Sequence, residues 1–243
     1  MDACIGEESK VAALSEPAHP HLRPTAELAD RVLLPGDPER AMRLAHALLV
    51  EPRMFNHTRG LWGYTGRAPD GELLTIQSTG MGGPSAAIVL TELAAMGVRR
   101  AIRVGTCGAL DPRLELGELV IAAEALSGDG TSRALGAGER VPADAELTAA
   151  LREQAPEAPA GAVVTVDLFY EQGPPGGGRE ALAVEMEAAT IFALGAAGGV
   201  AVGCVLTVSD IFAADGARRR IDDGEMLTAA ERMGAVAIAA LSS

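Results

Sequence analysis

The sequence predicts an α/β fold: a single-domain, three-layer α/β/α sandwich around a mixed, largely parallel central sheet. Three observations lead there. Strand-like and helical patterns alternate along the whole chain, the order that yields parallel strands joined by helical crossovers. Several strands, notably Val200 to Val208, read as continuous apolar runs, the pattern of strands buried on both faces. The 243 residues suffice for one full core without forcing a second. Residues 1–20 have neither an apolar signal core nor an Arg-rich amphipathic pattern, and a disordered tail is expected ahead of a domain over 21–243.

Composition narrows the function classes. The formal net charge of −13 disfavours nucleic-acid backbones and anionic membranes as partners. A small anionic substrate stays compatible, because arginines gathered in one pocket set the local potential whatever the total. Cys4, Cys107 and Cys204 lack metal-ligand spacing, and the last two lie in apolar runs. They read as small core residues in a reducing compartment, so a cytoplasmic protein without a metal site is expected. The uncharged stretch between Glu187 and Asp210 is broken by Gly195, Gly198, Gly199 and Gly203 and has no flanking basic cluster, so it is not read as a membrane span.

In chain order, Arg31-Val-Leu-Leu is a short buried strand, followed by P-G-D-P-E-R (35–40) and a helical pattern from Ala41 to Val50. A strand, a glycine turn and a helix start leave unpaired N–H groups suited to an anion, and Arg40 lies where its guanidinium can join them. The competing reading is an ordinary turn with a solvated arginine. Met54 to Gly66 suits a strand or hairpin, with Arg59 within it. Leu73 to Ser78 is a strand, and T-G-M-G-G-P-S (79–85) opens a helix through Met96 with Pro84 in its first turn. This glycine loop has neither Walker nor dinucleotide spacing.

Arg99 to Val104 is a strand ended by Gly105 to Ala109, and Arg103 stands inside it among apolar residues. A buried arginine requires a carboxylate partner or an anion. With Thr106 at the strand end, either an internal ion pair or an oxyanion site fits. Leu119 to Ala125 is a strand, Ser127 to Val141 a glycine-rich loop, and Ala143 to Gln154 an exposed amphipathic helix. Ala162 to Val166 is a strand that delivers Asp167-Leu-Phe-Tyr170. Aromatic residues make up only 3% of the chain, so Phe169 and Tyr170 stand out as a stacking surface for a flat ligand, against the alternative of loop packing. Gly173 to Arg179 is a flexible loop.

Val184 to Asp210 organises the rest. Glu185 and Glu187 flank Met186, and in an extended segment the two carboxylates share one face. Ala188 to Leu194 is helical, Gly195 to Gly199 its end and turn, and Val200 to Val208 a buried strand. Ser209-Asp210 follow where the strand leaves the core, the place where α/β sheets bind ligands; a cap or turn role is the alternative. A last helix from about Gly224 to Leu241 has an apolar stripe of Met226, Ala230, Met233, Ala237 and Leu241, with Arg232 off the stripe and in reach of the loop after Asp210.

Seven motifs in register resemble one family: P-G-D-P-E-R (35–40), N-H-T-R-G-L-W-G-Y-T-G (56–66), G-M-G-G-P-S (80–85), R-V-G-T-C-G-A (103–109), D-L-F-Y (167–170), V-E-M-E-A-A (184–189) and V-S-D (208–210). From His21 onward the chain is similar to the bacterial purine nucleoside phosphorylase and uridine phosphorylase family. The resemblance implies reversible phosphorolysis of a nucleoside to free base and (deoxy)ribose 1-phosphate, with inorganic phosphate as co-substrate and no cofactor. It also implies dimers building hexamers with shared active sites. Gly36, Arg40, Arg103 and Thr106 would hold phosphate, joined by Arg59 from a neighbouring subunit. Met186 and Glu187 would hold the ribose, with His21 from the neighbour at the 5′-hydroxyl. Phe169 would pack on the base beside Glu185 and Ser209, and Asp210 would protonate or hydrogen-bond N7 of a purine, assisted by Arg232.

The residue types suit that chemistry. Glycosidic cleavage leaves negative charge on the departing base, and an acid at N7 relieves it if burial keeps the carboxyl protonated. Arginines hold phosphate against the sugar, and a carboxylate accepts two ribose hydroxyls. Two departures fall near the nucleoside: the short 173–179 loop and one residue fewer after His21 than in purine enzymes. Uridine phosphorylases read the base with a Gln and an Arg after the aromatic pair, and Gln172 and Arg179 lie here at a different separation. Asp210 favours a purine; uridine phosphorolysis is the alternative, and a non-catalytic nucleoside-binding protein a third reading. Retention of Arg40, Arg103 and Thr106 argues against the related nucleosidases that use water.

Overall fold

The computed structural model describes residues 19–170, 180–212 and 218–243. Most of the tail expected over 1–20, and the whole 173–179 loop with Gln172, lie outside the described residues.

The elements run β1 (Arg31–Leu34), α1 (Pro38–Leu48), β2 (Val50–Asn56), β3 (Gly63–Arg67), β4 (Leu73–Gln77), α2 (Gly83–Ala95), β5 (Arg100–Ala109), β6 (Leu119–Ser127), α3 (Gly130–Ala134), β7 (Arg140–Pro142), α4 (Ala145–Gln154), β8 (Ala160–Thr165), β9 (Ala183–Glu185), α5 (Ala188–Gly198), β10 (Ala201–Phe212), β11 (Arg218–Arg220) and α6 (Asp223–Ser242). Helix α1 begins ahead of its apolar pattern because Pro38 suits the first turn and the Asp37 carboxylate accepts from Glu39 N at 3.0 Å. The helix start expected to receive an anion is therefore capped by its own aspartate.

Two strands outrun the apolar stretches that announced them. β5 continues through Gly105 to Ala109 and β10 through Ser209 and Asp210, because they pair with each other in parallel from Ala201↔Arg100 to Asp210↔Gly108. Thr106 and Asp210 are thus strand residues, not residues of strand-end loops. The 127–141 stretch, read as a loop, holds α3, capped by Asp129, and β7, which pairs with β6.

The sheet is mixed, as predicted, but it does not stay open. β1 is parallel to β4 and to the first half of β5, whereas the last residues of β5 pair antiparallel with β9. From β5 the ladder passes to β10, β6, β8 and β9 and returns to β5, closing a small barrel from which β1, β4, β3 and β2 extend. Helices α2 and α5 cover one face, with Val89, Leu93, Ile191 and Phe192 against Val202, Cys204 and Leu206. Helices α1, α4 and α6 cover the other, with Leu44, Leu147, Leu151 and Met233 against Ile102, Val104 and Val205. The amphipathic helix expected over 143–154 thus buries one stripe. Alternate residues of β5 and β10 serve opposite cores, as the two-residue period of a strand demands. Among the described residues no helix is long and apolar enough to cross a membrane.

Candidate active site

The site forms where the upper part of β5 meets three loops. Arg103 is buried within β5, and its side chain runs over Gly105, two residues on and on the same face: a Cβ there would lie 2.7 Å from the guanidinium carbon. The charge is met by two carboxylates. Nε donates to Glu185 Oε2 at 3.1 Å and Nη2 lies 2.5 Å from Glu187 Oε2. Burial opposes the Arg103 charge, but Glu187 and Glu185 more than offset it and hold the guanidinium protonated. Arg103 is thus shared between two buried carboxylates. Burial first, and the Glu187 charge next, push the Glu185 carboxyl above the ordinary glutamate range, with Arg103 acting the other way.

Helix N-termini make this cluster tolerable. The extended run ends at Glu185, and the chain turns into α5 at Glu187, so the two carboxylates part instead of sharing a strand face. Glu185 accepts from the amides of Glu187 and Ala188 at 2.9 Å and from Thr165 Oγ1 at 2.5 Å. Glu187 Oε1 accepts from Gly82 N at 2.5 Å, at the start of α2. Each carboxylate thus sits at the positive end of a helix. The glycine loop 79–85 aims its N–H at a side chain of the same chain; Gly80 and Gly82 have φ of 73° and 84°, which lets the backbone make that turn. Gly36 packs against it, with its ideal Cβ position 3.3 Å from Gly80 O, and Pro35 O accepts from Thr79 N at 2.8 Å.

Arg40 projects into the same region. Burial lowers its pKa first, Asp37 works against that, and Arg103 adds to the lowering. Among the described residues its guanidinium meets no carboxylate or other acceptor, and Nη1 of Arg103 likewise has none. Thr106 is half-buried on β5, three residues beyond Arg103. Met186 is half-buried between the two glutamates. Arg59 is exposed on the Thr58–Gly60 turn in a left-handed conformation with φ of 58°. His21 is tied to its own chain: Nδ1 lies 2.6 Å from Glu92 Oε1, and the Leu22 amide donates to Glu92 Oε2 at 2.7 Å.

Asp210 occupies a second pole. The β10 register slips by one residue at Ser209, between Val208↔Cys107 and Asp210↔Gly108, and this bulge redirects the Asp210 side chain. Ser209 Oγ lies 2.7 Å from Asp210 Oδ2 and 3.2 Å from Cys107 O. Asp210 Oδ1 accepts from Arg218 Nε at 2.9 Å, and the Arg218 guanidinium lies 4.4 Å over the Phe169 ring. Phe169 is 48% exposed, with Tyr170 edge-on at 5.0 Å.

Two expectations change. Arg232, expected beside Asp210, sits on the exposed face of α6 and donates from Nη2 to Gly117 O at 2.7 Å; its place on Asp210 is taken by Arg218, which β11 brings alongside β10. Glu185, expected at the base, is closed off, because all its lone pairs face Arg103, Thr165 and the α5 amides. Thr165 and Arg218 lie outside every motif of the sequence, whereas Gly82 and Gly105 lie within G-M-G-G-P-S and R-V-G-T-C-G-A without a role assigned to either. Gly105 stands two places from a buried arginine with no side chain to obstruct it, and Gly82 stands at a helix start in a glycine loop.

A family model described as "Phosphorylase superfamily" matches residues 30–242. A purine nucleoside phosphorylase DeoD-type of Geobacillus kaustophilus is 38% identical over 218 residues, covering 86% of this chain and 88% of that protein. One of Oceanobacillus iheyensis is 37% identical, covering 85% and 88%. Among solved structures, a uridine phosphorylase of Vibrio fischeri superposes with a TM-score of 0.78 at 23% identity, covering 89% of this chain and 93% of that one, a likeness of fold alone. The same enzyme complexed with 6-hydroxy-1-naphthoic acid gives a TM-score of 0.78 at 25% identity, covering 89% and 92%. On the match across residues 30–242 and these close relatives, the chain belongs to the phosphorylase superfamily.

Proposed function

We propose that this protein catalyses reversible phosphorolysis of purine (deoxy)ribonucleosides, giving free base and (deoxy)ribose 1-phosphate in nucleoside salvage. The observation that carries the reading is the pairing of two poles: guanidinium groups of Arg40 and Arg103 gathered beside Glu187, and Asp210 set apart beside an exposed Phe169. The names of the purine-phosphorolysing relatives support it.

In this reading phosphate binds Arg40 and the free edge of Arg103, with Gly36 and Thr106 contributing backbone and hydroxyl donors. Glu187, held by Gly82 N and Arg103, keeps lone pairs for the ribose hydroxyls. Met186 packs on the sugar. Phosphate attacks C1′ as the C1′–N bond to the base breaks, and Asp210, oriented by Ser209 and entering the step as the carboxylic acid, gives or shares its proton at N7 and is left as the carboxylate facing Arg218. Inorganic phosphate is the co-substrate, and no cofactor takes part. The exposed Arg59 and the His21–Glu92 unit suit contributions to a neighbouring subunit's site, so we place the protein as a dimer-based homo-oligomer, a hexamer, in the cytoplasm, with residues 21–243 as one domain. Nucleic acid and membrane are not partners in this reading.

Base release from inosine, adenosine, guanosine and uridine, each with and without inorganic phosphate, tests the proposal. Phosphate-dependent release of purine bases is expected. Turnover of uridine alone would transfer the chain to the pyrimidine reading, and release without phosphate would overturn the phosphorylase reading. A sharper check uses Gly105→Ala, whose Cβ must displace the Arg103 guanidinium. The KM for phosphate is expected to rise about 10–100-fold, with nucleoside KM much less affected. An unchanged phosphate KM would remove Arg103 from the phosphate site.

A further inference from the structure

Asp210 has an arginine partner that no motif pointed to. Arg218, on the short strand β11, donates from Nε to Asp210 Oδ1 at 2.9 Å and lies over the Phe169 ring. Its side chain is 34% exposed, and among the described residues neither Nη nitrogen meets an acceptor. Asp210 is nearly closed off, with its other oxygen 2.7 Å from Ser209 Oγ. The two side chains form one unit of fixed polarity: a carboxyl group next to a planar fork that holds donors and no acceptor.

We propose that Arg218 reads the six-position of the purine, so that this protein favours 6-oxopurine over 6-aminopurine nucleosides. The inference rests on the purine phosphorylase reading, with Asp210 at N7. In a purine, N7 and the six-substituent share one edge, which presents an oxygen acceptor at C6 in the oxopurines and an amino donor in adenine. When N7 meets Asp210, the adjacent group on that edge meets the residue bonded to Asp210. Arg218 N–H groups donate to O6. An amino group in that place sets donor against donor and leaves one unpaired. The polarity also serves the chemistry: the departing oxopurine spreads negative charge over N7 and O6, and a guanidinium beside O6 stabilises it. Stacking on Phe169 restricts how far the guanidinium can swing away. Arg218 transfers no proton; it positions Asp210 and reads the base.

The test compares kcat/KM for inosine and adenosine at saturating phosphate in the unsubstituted protein, Arg218→Lys and Arg218→Gln. The unsubstituted protein is expected to favour inosine by about 10-fold or more, less than a fully enclosed polar site achieves because Arg218 is partly exposed. Lysine, also donor-only, is expected to keep the preference. Glutamine can turn its oxygen toward an amino group, and its ratio is expected to fall to within about 3-fold of unity. A purely structural role for Arg218 would lower both activities together and leave the ratio alone. Phosphate-dependent release with equal kcat/KM for the two nucleosides, or a ratio unmoved by Arg218→Gln, overturns the inference and leaves the purine phosphorylase reading standing. Absence of any phosphate-dependent purine release overturns that reading and the inference with it.

Discussion

Asp210→Ala is expected to lower kcat for phosphate-dependent purine release by roughly 10²–10⁴-fold, the usual worth of a positioned general acid, while the protein stays folded. Stability is spared because the residue's one charged partner among the described residues, Arg218, is partly exposed and can return to water. Ser209 Oγ, the other neighbour, still reaches Cys107 O at 3.2 Å. Asp210→Asn keeps the shape but cannot deliver a proton in the same way, and a similar loss is expected. Steady-state kinetics with inosine, alongside thermal unfolding, checks both. A loss smaller than about 10-fold would mean that N7 is protonated from elsewhere.

Arg103→Met is expected to damage both stability and phosphate binding. The substitution leaves Glu185 and Glu187, each about 5% exposed or less, without the guanidinium they share, and Arg40, which pairs with neither, is the one cation left nearby among the described residues. Breaking a buried ion pair from one side costs about 3–5 kcal/mol. For a chain of this size each kcal/mol moves Tm by about 2–4 °C, so a fall on the order of 6–20 °C is expected. Adding Glu185→Gln removes one buried charge and is expected to restore part of the stability, since the two sites share one network. Phosphate affinity is not expected to return, because the lost guanidinium is not replaced. Calorimetry on the single and double variants, with phosphate KM measured on both, separates the two effects. Equal Tm values for the parent and Arg103→Met would show that the carboxylates do not need the arginine.

Most elements were readable locally. The short apolar run Arg31–Leu34, the strand opening at Arg100, the helix after Pro84 and the long last helix all stand where periodicity and turn residues put them. Arg103 is legible as a buried charge in an apolar strand, and its ion-pair reading holds, with Glu185 and Glu187 as the partners. The limits of β5 and β10 are not legible locally, because Gly105, Gly108, Ser209 and Asp210 look like loop residues. Their strand conformation comes from the ladder between the two strands, which no local window contains.

Most strands and helices, and the burial of charge at Arg103 within an apolar strand, are legible in the sequence alone. Those properties follow from side-chain periodicity and from the cost of burying charge, both visible over a few residues. The partners come from long-range contacts. Glu185 reaches Arg103 across 82 positions, Gly82 reaches Glu187 across 105, and β5 closes the sheet onto β9. Tertiary structure also sets Arg218, not Arg232, against Asp210. The two arginines have identical chemistry, and the one found on the carboxylate is the one whose strand pairs with β10, which is a matter of backbone geometry and not of residue type.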